Sequence, residues 1–406
     1  MIGYQDPSGA VRDSQVGLEV RRDLDGLRVG MILTNGYAPD IRVEKEALAL
    51  SEAGAKVVIF AWDRTGDRKP REEIAPNCEV RRLVVRSKDG LGARQLPRFA
   101  RYWSDVVRAI NRETWDVLHA HDLDGMVPTL FCRPPRIGCV YDAHELFPLM
   151  VGERLGACSQ GAAWGMERWF VRRARLIITD GEPRARIYRN ALRAKRVIVV
   201  ENTVDLARFG ASRTNRASLR ASLTIPENAW VIGVFTSLSS AKDLGTLWQA
   251  LEQWPDTWVL IAGGGRDSGR VQDLARNHSR VRYLGYVPNV ATWYSAVDAV
   301  YYALNPESRN SRLGFPNNVA TAAASGVPIV VADVGECGRL VRRFRLGPVF
   351  VSGRVQELLS AMNLLRDPSV YRQYVDNIAK AQERFSWDRS RQRLVDGYRD
   401  LASGRS

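Results

Sequence analysis

Short apolar runs rich in Val and Ile recur along this chain and alternate with stretches whose apolar residues repeat at helical spacing. That alternation predicts βαβ units around a parallel sheet. The first series consists of LRVGMILTN (27–35), AKVVIFAWD (55–63), WDVLHAHD (115–122), IGCVYDAHE (137–145), RLIITDG (175–181) and KRVIVVEN (195–202), with RVEKEALALSEAG as a helix after the first run. A polar stretch without strand character, LARFGASRTNRASLRASLTIPENA (206–229), then reads as a linker. A second series restarts at WVIGVFTSL (230–238) and continues through WVLIAGGG (258–265), VRYLGYV (281–287), AVDAVYYAL (296–304), VPIVVAD (327–333) and GPVFV (347–351). The prediction is an α/β chain of two Rossmann-like, doubly wound domains with a cleft between them.

Composition agrees with that division. At 406 residues the chain exceeds what one core usually organises, and its 45% apolar content can fill two. No apolar run reaches the roughly 18 to 20 residues that span a bilayer, and the N-terminus lacks a signal-peptide core, so a cytoplasmic protein is expected. Five scattered cysteines, Cys78, Cys132, Cys139, Cys158 and Cys337, fit neither a disulfide framework nor a zinc site. The net charge of +14 asks for an anionic partner: a nucleotide diphosphate, a phospholipid surface or nucleic acid. Dispersed basic residues and the lack of a helix-turn-helix, zinc-finger or aromatic ribonucleoprotein signature argue against nucleic acid. Arginine-rich coding in a GC-rich genome explains the charge equally well.

Ligands of such sheets bind beyond the carboxyl ends of the strands. After the first strand, Asn35–Gly36 allow a tight turn and Asp40 can cap the next helix, leaving N–H groups that suit an anion. An ordinary capped turn fits the same residues. Three of the four histidines, His119, His121 and His144, fall at strand ends beside Asp122, Asp142 and Glu145, which points to a site rather than to three structural histidines. Their spacing matches no usual metal motif, so no metal is expected. In GFPNNVATAAASGVPIVVAD (314–333), the small residues Ala320, Thr321, Ala322 and Ala324 would let a diphosphate reach the first turn of a helix and its unpaired N–H groups. Tight packing of that helix on its sheet favours the same residues.

NGYAPDIRVEKEALALSEAGAKVVIFAWDR, WDVLHAHDLDGMVP, VYDAHELFP, VENTVDLARF, YLGYV, FPNNVATAAASGVPIVVAD and the terminal FSWDRSRQRLVDGYRDL together resemble GT-B glycosyltransferases of the family-4 type. The motifs occur in the family's order, and the resemblance runs from residue 27 to 401. It implies retaining transfer from a nucleotide-diphosphate sugar without a metal, with an N-terminal extension (1–26), an acceptor domain (27–208), a nucleotide-sugar domain (209–385) and a last helix (386–406) that crosses back. Attack on the face the diphosphate leaves would let that diphosphate help take the acceptor's proton. The resemblance implies that Lys242, the helix dipole and Arg309 or Arg312 stabilise the leaving group, that His121 faces the reacting sugar, and that His144 adds a second polar contact. Gly36, Ser237, Gly264, Tyr286, Val287, Pro316, Asn317, Asn318 and Thr321 join Lys242 and Arg312 as donor-binding positions. YLGYVPNVATW (283–293) borders the base, and Asn202 lies at the hinge-side edge of the cleft. Implied acceptors are a saccharide, a lipid-linked sugar or a small natural product.

Departures from the pattern are specific. Many relatives carry two glutamates with seven residues between them where this chain has Leu313 and Thr321; a subgroup has Pro-Asn-Lys where this chain has Asn318; and the arginine that precedes the family lysine is Ser237. Each charge-assisted hydrogen bond lost costs about 1.5 to 3 kcal/mol unless replaced. Two readings stay open. One is an active transferase in which Thr321, Asn318, Glu307 or an arginine takes over; the other is a degenerate protein that binds a partner or ligand without turnover. Retention of His119, His121, Asp142, His144, Glu145 and Lys242 together favours activity. Finally, residues 81–112 set Arg94, Arg98, Arg101 and Arg108 beside Leu91, Leu96, Phe99, Trp103 and Val107 at helical spacing. In the family such an element touches a membrane, which suggests peripheral attachment to an anionic leaflet. The alternative is a surface helix packed on its own sheet.

Overall fold

The computed structural model describes residues 23–404 apart from 38–39, 89–91, 207–208 and 210–214, so Leu91 and most of the N-terminal extension lie outside the described residues. Two sheets carry the chain. The first contains β1 (Arg28–Leu33), β2 (Lys56–Asp63), β3 (Arg71–Ala75), β4 (Cys78–Val84), β5 (Val117–His121), β6 (Gly138–Ala143), β7 (Ala174–Thr179) and β8 (Val197–Val199), in the order β3-β4-β2-β1-β5-β6-β7-β8. The second contains β9 (Trp230–Phe235), β10 (Thr257–Ala262), β11 (Val281–Tyr283), β12 (Ala299–Tyr302), β13 (Ile329–Ala332) and β14 (Val349–Phe350), in the order β11-β10-β9-β12-β13-β14. All pairings are parallel except β3 with β4. Helices cover both faces, so central strands such as β1 and β9 are buried along nearly their whole length, as their unbroken apolar runs require.

The β3–β4 hairpin was not anticipated. Its sequence REEIAPNCEVRRLV is too charged to read as a strand, yet Asn77 takes the left-handed turn (φ 63°) and Cys78 and Val80 point into the core. Arg82 is absorbed because its guanidinium donates to the carbonyls of Gly36 (3.2 Å), Lys69 (2.9 Å) and Tyr37 (3.2 Å) and pairs with Glu72. The later part of the expected linker also proves to be folded: Asn215 caps a helix, Arg216–Ser222, whose Arg220 is 1% exposed. Arg220 donates to the carbonyls of Ala296, Glu227 and Ala229 and to Asp298 Oδ2 (2.8 Å).

The helix Leu96–Ile110 buries Tyr102, Val106 and Ile110 in one core cluster with Ile32, Phe60 and Trp62. Arg101 and Arg108 both pair with Asp105. Of the apolar residues expected above to face a membrane, Phe99 and Trp103 are half-buried against that cluster, Val107 is half-buried and Leu96 is exposed. No helix among the described residues is long and apolar enough to cross a membrane.

The last helix, Trp387–Ala402, returns to the first sheet and packs Trp387, Leu394, Val395 and Tyr398 with Met31, Val57 and Ile59. The two stretches joining the halves hold each other: Val204 N–H donates to Phe385 O (3.2 Å), Trp387 N–H donates to Val204 O (2.9 Å), and Arg384 pairs with Glu201. Asn202, beside them, accepts from Lys45 Nζ at 2.5 Å.

Arg220→Ala should leave Asp298 and three carbonyls short of a buried donor, lowering unfolding free energy by about 3 to 5 kcal/mol. Urea denaturation followed by circular dichroism measures it; a loss below about 1 kcal/mol would show that the 206–229 stretch is the loose linker its composition suggests.

Candidate active site

In each sheet the strand order reverses once, between β1 and β5 in the first and between β9 and β12 in the second. Crevices for ligands open at those points. The side chains found there are the polar ones singled out from the sequence, with several that were not.

In the first sheet the centre is Asp142 at the end of β6, fully buried. Arg42, on the helix Ile41–Glu52, grips it with Nη2 on Oδ1 (2.6 Å) and Nε on Oδ2 (3.1 Å) while Nη1 donates to Val200 O. His144 Nε2 lies 2.8 Å and His121 Nδ1 3.2 Å from the same Oδ2. Burial alone would raise the Asp142 pKa, but Arg42 and His144 hold it well below the usual carboxylate range. Burial opposes charge on His144 as well, yet Asp122 and Asp142 carry its pKa up to about 10, so it is cationic at neutral pH. His121 and His119 go the other way: burial lowers both, keeping them neutral. With Nδ1 donating to Asp142, His121 presents an unpartnered, enclosed Nε2.

A second layer lies behind these groups. His119 Nδ1 is 2.7 Å from the hydroxyl of Tyr398 on the returning last helix, and its Nε2 is 3.8 Å from Glu46. Burial raises the Glu46 carboxyl. Glu46, His119, His121 and Asp142 keep ligand atoms within 4.8 Å of one another, the geometry of a possible cation site. Arg42, 3.1 Å from Glu46, and protonated His144 already supply two positive charges there, so the donor set suits proton sharing better than a divalent ion. His121, expected as a cleft residue, is only 1% exposed; His144 at 21% is the histidine that reaches the cleft. Asp122 takes a left-handed φ of 56° and accepts from His144 N–H at 3.0 Å. Backbone strain at a strand end beside charged groups is characteristic of functional positions.

In the second sheet, Lys242 follows β9 and its Nζ donates to Tyr302 Oη (3.0 Å) at the end of β12, spanning the reversal point. Burial pushes its pKa down to about 8, and no carboxylate among the described residues pairs with it. The bare helix Asn317–Ser325 starts after Pro316 without a side-chain cap, with Asn317 exposed. Asn318 donates to Phe235 O at the end of β9 (2.5 Å), and Thr321 Oγ1 donates back to Asn317 O at 2.9 Å. Ser237 and Gly264 meet where Leu238 N–H donates to Gly264 O (2.9 Å), and Tyr286 packs beside Gly264 with most of its ring exposed. Val287 is partly buried in the core behind it. Gly263 has to be glycine, since a Cβ would lie 1.9 Å from Thr236 O. Arg312 is exposed, its carbonyl accepting from Glu336 N–H at the turn made by Gly335.

Gly36 lies apart from these positions, in the first domain, under Arg82 and Arg68. Between the halves runs the segment 305–316. Asn310 Oδ1 accepts from Leu146 N–H (3.1 Å), Asn310 N–H donates to Glu153, Phe315 N–H donates to Asp180, and Leu313 packs against the first domain's core. That contact explains one departure from the family pattern: position 313 serves domain packing here, where a carboxylate would be buried among apolar side chains.

Two family models match this chain: the glycosyl transferase 4-like domain over residues 39–203 and the glycosyl transferases group 1 over residues 230–367. The chain belongs to the GT-B glycosyltransferases of the family-4 type. The glycosyltransferase is 27% identical over 385 residues to D-inositol 3-phosphate glycosyltransferase of Mycolicibacterium gilvum, covering 88% of this chain and 84% of that protein. In fold it is similar to sucrose-phosphate synthase from Thermosynechococcus elongatus (TM-score 0.76, 18% identity, 93% of this chain, 100% of that one). It is also similar to Anabaena HepE solved in complex with UDP-glucose (TM-score 0.68, 18% identity, 93% and 100%). Transfer of a glycosyl group is thus the activity of this glycosyltransferase.

Because His144 titrates higher in the folded enzyme than the roughly 6.5 of a free histidine, its pairing with Asp142 is fully stabilising below about pH 6.5 and fades as pH rises toward 10. Melting temperature should fall across that window, and less steeply in His144→Gln. Equal slopes in both proteins would contradict a charged pair.

Proposed function

We propose that this enzyme moves a hexosyl group from a UDP-sugar to an acceptor hydroxyl with retention at the anomeric carbon, the donor lying on the second domain and the acceptor on the first. The observation that carries the donor side is Lys242: a largely buried ammonium whose hydrogen-bond partner is the neutral phenol of Tyr302. A desolvated cation at a strand-order reversal lacks an anion, and the departing diphosphate supplies one. The uncapped helix beginning at Asn317 adds N–H groups, and exposed Arg312 can swing to the same charge. HepE, solved in complex with UDP and with UDP-glucose, shares this fold, which supports a uridine nucleotide.

The reaction runs as same-face displacement. The bond from the anomeric carbon to the diphosphate oxygen breaks, the acceptor oxygen bonds to the face just vacated, and the acceptor's proton passes to the departing diphosphate. His144, cationic and partly exposed, and neutral His121 behind it orient the sugar through the Asp142 network. Thr321 stands at the ribose position with its hydroxyl still able to accept. A degenerate, non-catalytic protein is disfavoured by a charge network that spends four buried polar groups around one carboxylate. Membrane attachment would fall to Arg94 and Arg98, since Arg101 and Arg108 are paired with Asp105; an acceptor met in solution is favoured.

Lys242→Ala should lower kcat about a hundredfold or more and weaken UDP binding about ten- to a hundredfold, with an unchanged far-ultraviolet spectrum. Wild-type turnover in that variant would remove Lys242 from the mechanism. Since only protonated Lys242 attracts the diphosphate, calorimetry should find UDP affinity declining as pH rises through about 8, a decline absent from Lys242→Ala. Failure of every nucleoside diphosphate to bind would favour the degenerate reading.

A further inference from the structure

A concave space of about 580 Å³ opens on the first domain beside Asp122. Its wall is formed by Phe99, Trp103, Leu123, Val127, Phe147 and Met150, and its polar lining is Asp122, Asp124 and Glu145. In a chain of net charge +14 this lining contains three carboxylates and no basic side chain. Trp103 has its indole N–H occupied by Asp124 O (3.0 Å), so it offers the cavity carbon surface alone. Asp124 is likewise used up, accepting from Thr34 Oγ1 (2.7 Å) and Gly125 N–H (3.0 Å). Asp122 is not. Its Oδ1 takes the His144 N–H, while Oδ2 lies 3.7 Å from His144 Nδ1 and is left for another donor. The cavity therefore has an apolar body and one acidic end, and that end touches the histidine that reaches the cleft.

We propose that this cavity is the acceptor subsite and that it takes the apolar, uncharged or cationic aglycone of a small hydroxylated molecule, with any N–H or O–H of that molecule other than the reacting hydroxyl free to donate to Asp122. The proposal rests on the transferase reading and narrows its substrate. A volume of this size matches sites that enclose drug-sized ligands, about 300 to 1,000 Å³, lined by apolar groups with a few polar ones that set orientation. An inositol phosphate or a diphosphate-linked lipid would bring its anion against three carboxylates, where the one cation among the described residues at that end, His144, is already paired with Asp122 and Asp142, and an oligosaccharide would leave most of its hydroxyls facing carbon. The acceptor chemistry thus departs from that named for the inositol 3-phosphate relatives.

The test uses the full-length protein and 4-methylumbelliferone, a flat, hydroxylated, apolar probe. Its binding is followed by fluorescence anisotropy, and UDP binding is measured separately by calorimetry. The probe should saturate the protein, resist displacement by inositol 3-phosphate, and bind at least tenfold more weakly to Val127→Trp, which fills the cavity, with UDP affinity unchanged. Phe147→Ala, which removes wall without adding bulk, should also weaken the probe several-fold and covers the case in which Val127→Trp fails to fold. Displacement by inositol 3-phosphate, or wild-type probe affinity in a folded variant, would overturn the proposal. UDP binding without probe binding sinks this proposal alone; probe binding without binding of any nucleoside diphosphate sinks the transferase reading and, with it, the acceptor role given to the cavity.

Discussion

Everything on the first domain's side of the cleft is organised by one buried carboxylate, Asp142. A lone carboxylate at that depth would stay protonated. Arg42 and His144 keep it ionised, and it in turn keeps His144 cationic at a position where a neutral histidine would otherwise be favoured by burial. His121 is oriented by the same oxygen atom. The network draws on the first helix through Arg42 and Glu46, on two strand ends through His119, His121, Asp142 and His144, and on the last helix through Tyr398. It thus ties the returning C-terminus to the network: the last helix holds His119 through Tyr398 and also buries Trp387 and Leu394.

The second domain solves the complementary problem with less. It holds a single desolvated ammonium and an uncapped helix start, both at the reversal point of its sheet. The departures at Ser237, Asn318 and Thr321 reduce the charge available there, while Leu313 and its neighbours are committed to the domain contact through Asn310 and Phe315. A pattern that looks degenerate in one dimension has local uses in the fold: Leu313 packs against the first domain and Asn318 donates to the carbonyl of Phe235 at the end of β9.

Much of this was legible in sequence because parallel sheets bury their strands on both faces, and continuous Val/Ile runs survive as a signal. All six strands expected in each series are present. What escaped notice did so for physical reasons. β4 hides behind Glu79, Arg81 and Arg82, whose charges are neutralised by one another (Arg81 with Glu79), by Glu72 across the hairpin and by Glu113 from farther along the chain. The helix Arg216–Ser222 reads as a linker because its buried side chain, Arg220, is an arginine held by carbonyls and Asp298 rather than an apolar residue. Arg42 and Tyr398 carried no motif of their own, since their roles appear only when residues 100 and 279 positions apart meet. The depth of His121 could not be read from its strand-end position, which places a residue along the strand but not beneath its neighbours.

The central claim is a division of labour: the Asp142 network serves glycosyl transfer, and nucleotide binding belongs to the other domain. Asp142→Asn tests it most directly, because it removes the charge and keeps the shape. With saturating UDP-glucose and a competent acceptor, the folded variant should lose at least a hundredfold in transfer rate while its Kd for UDP, measured by calorimetry, stays within about twofold of the wild type. Transfer at the wild-type rate, or a UDP affinity that falls in step with it, would contradict the account.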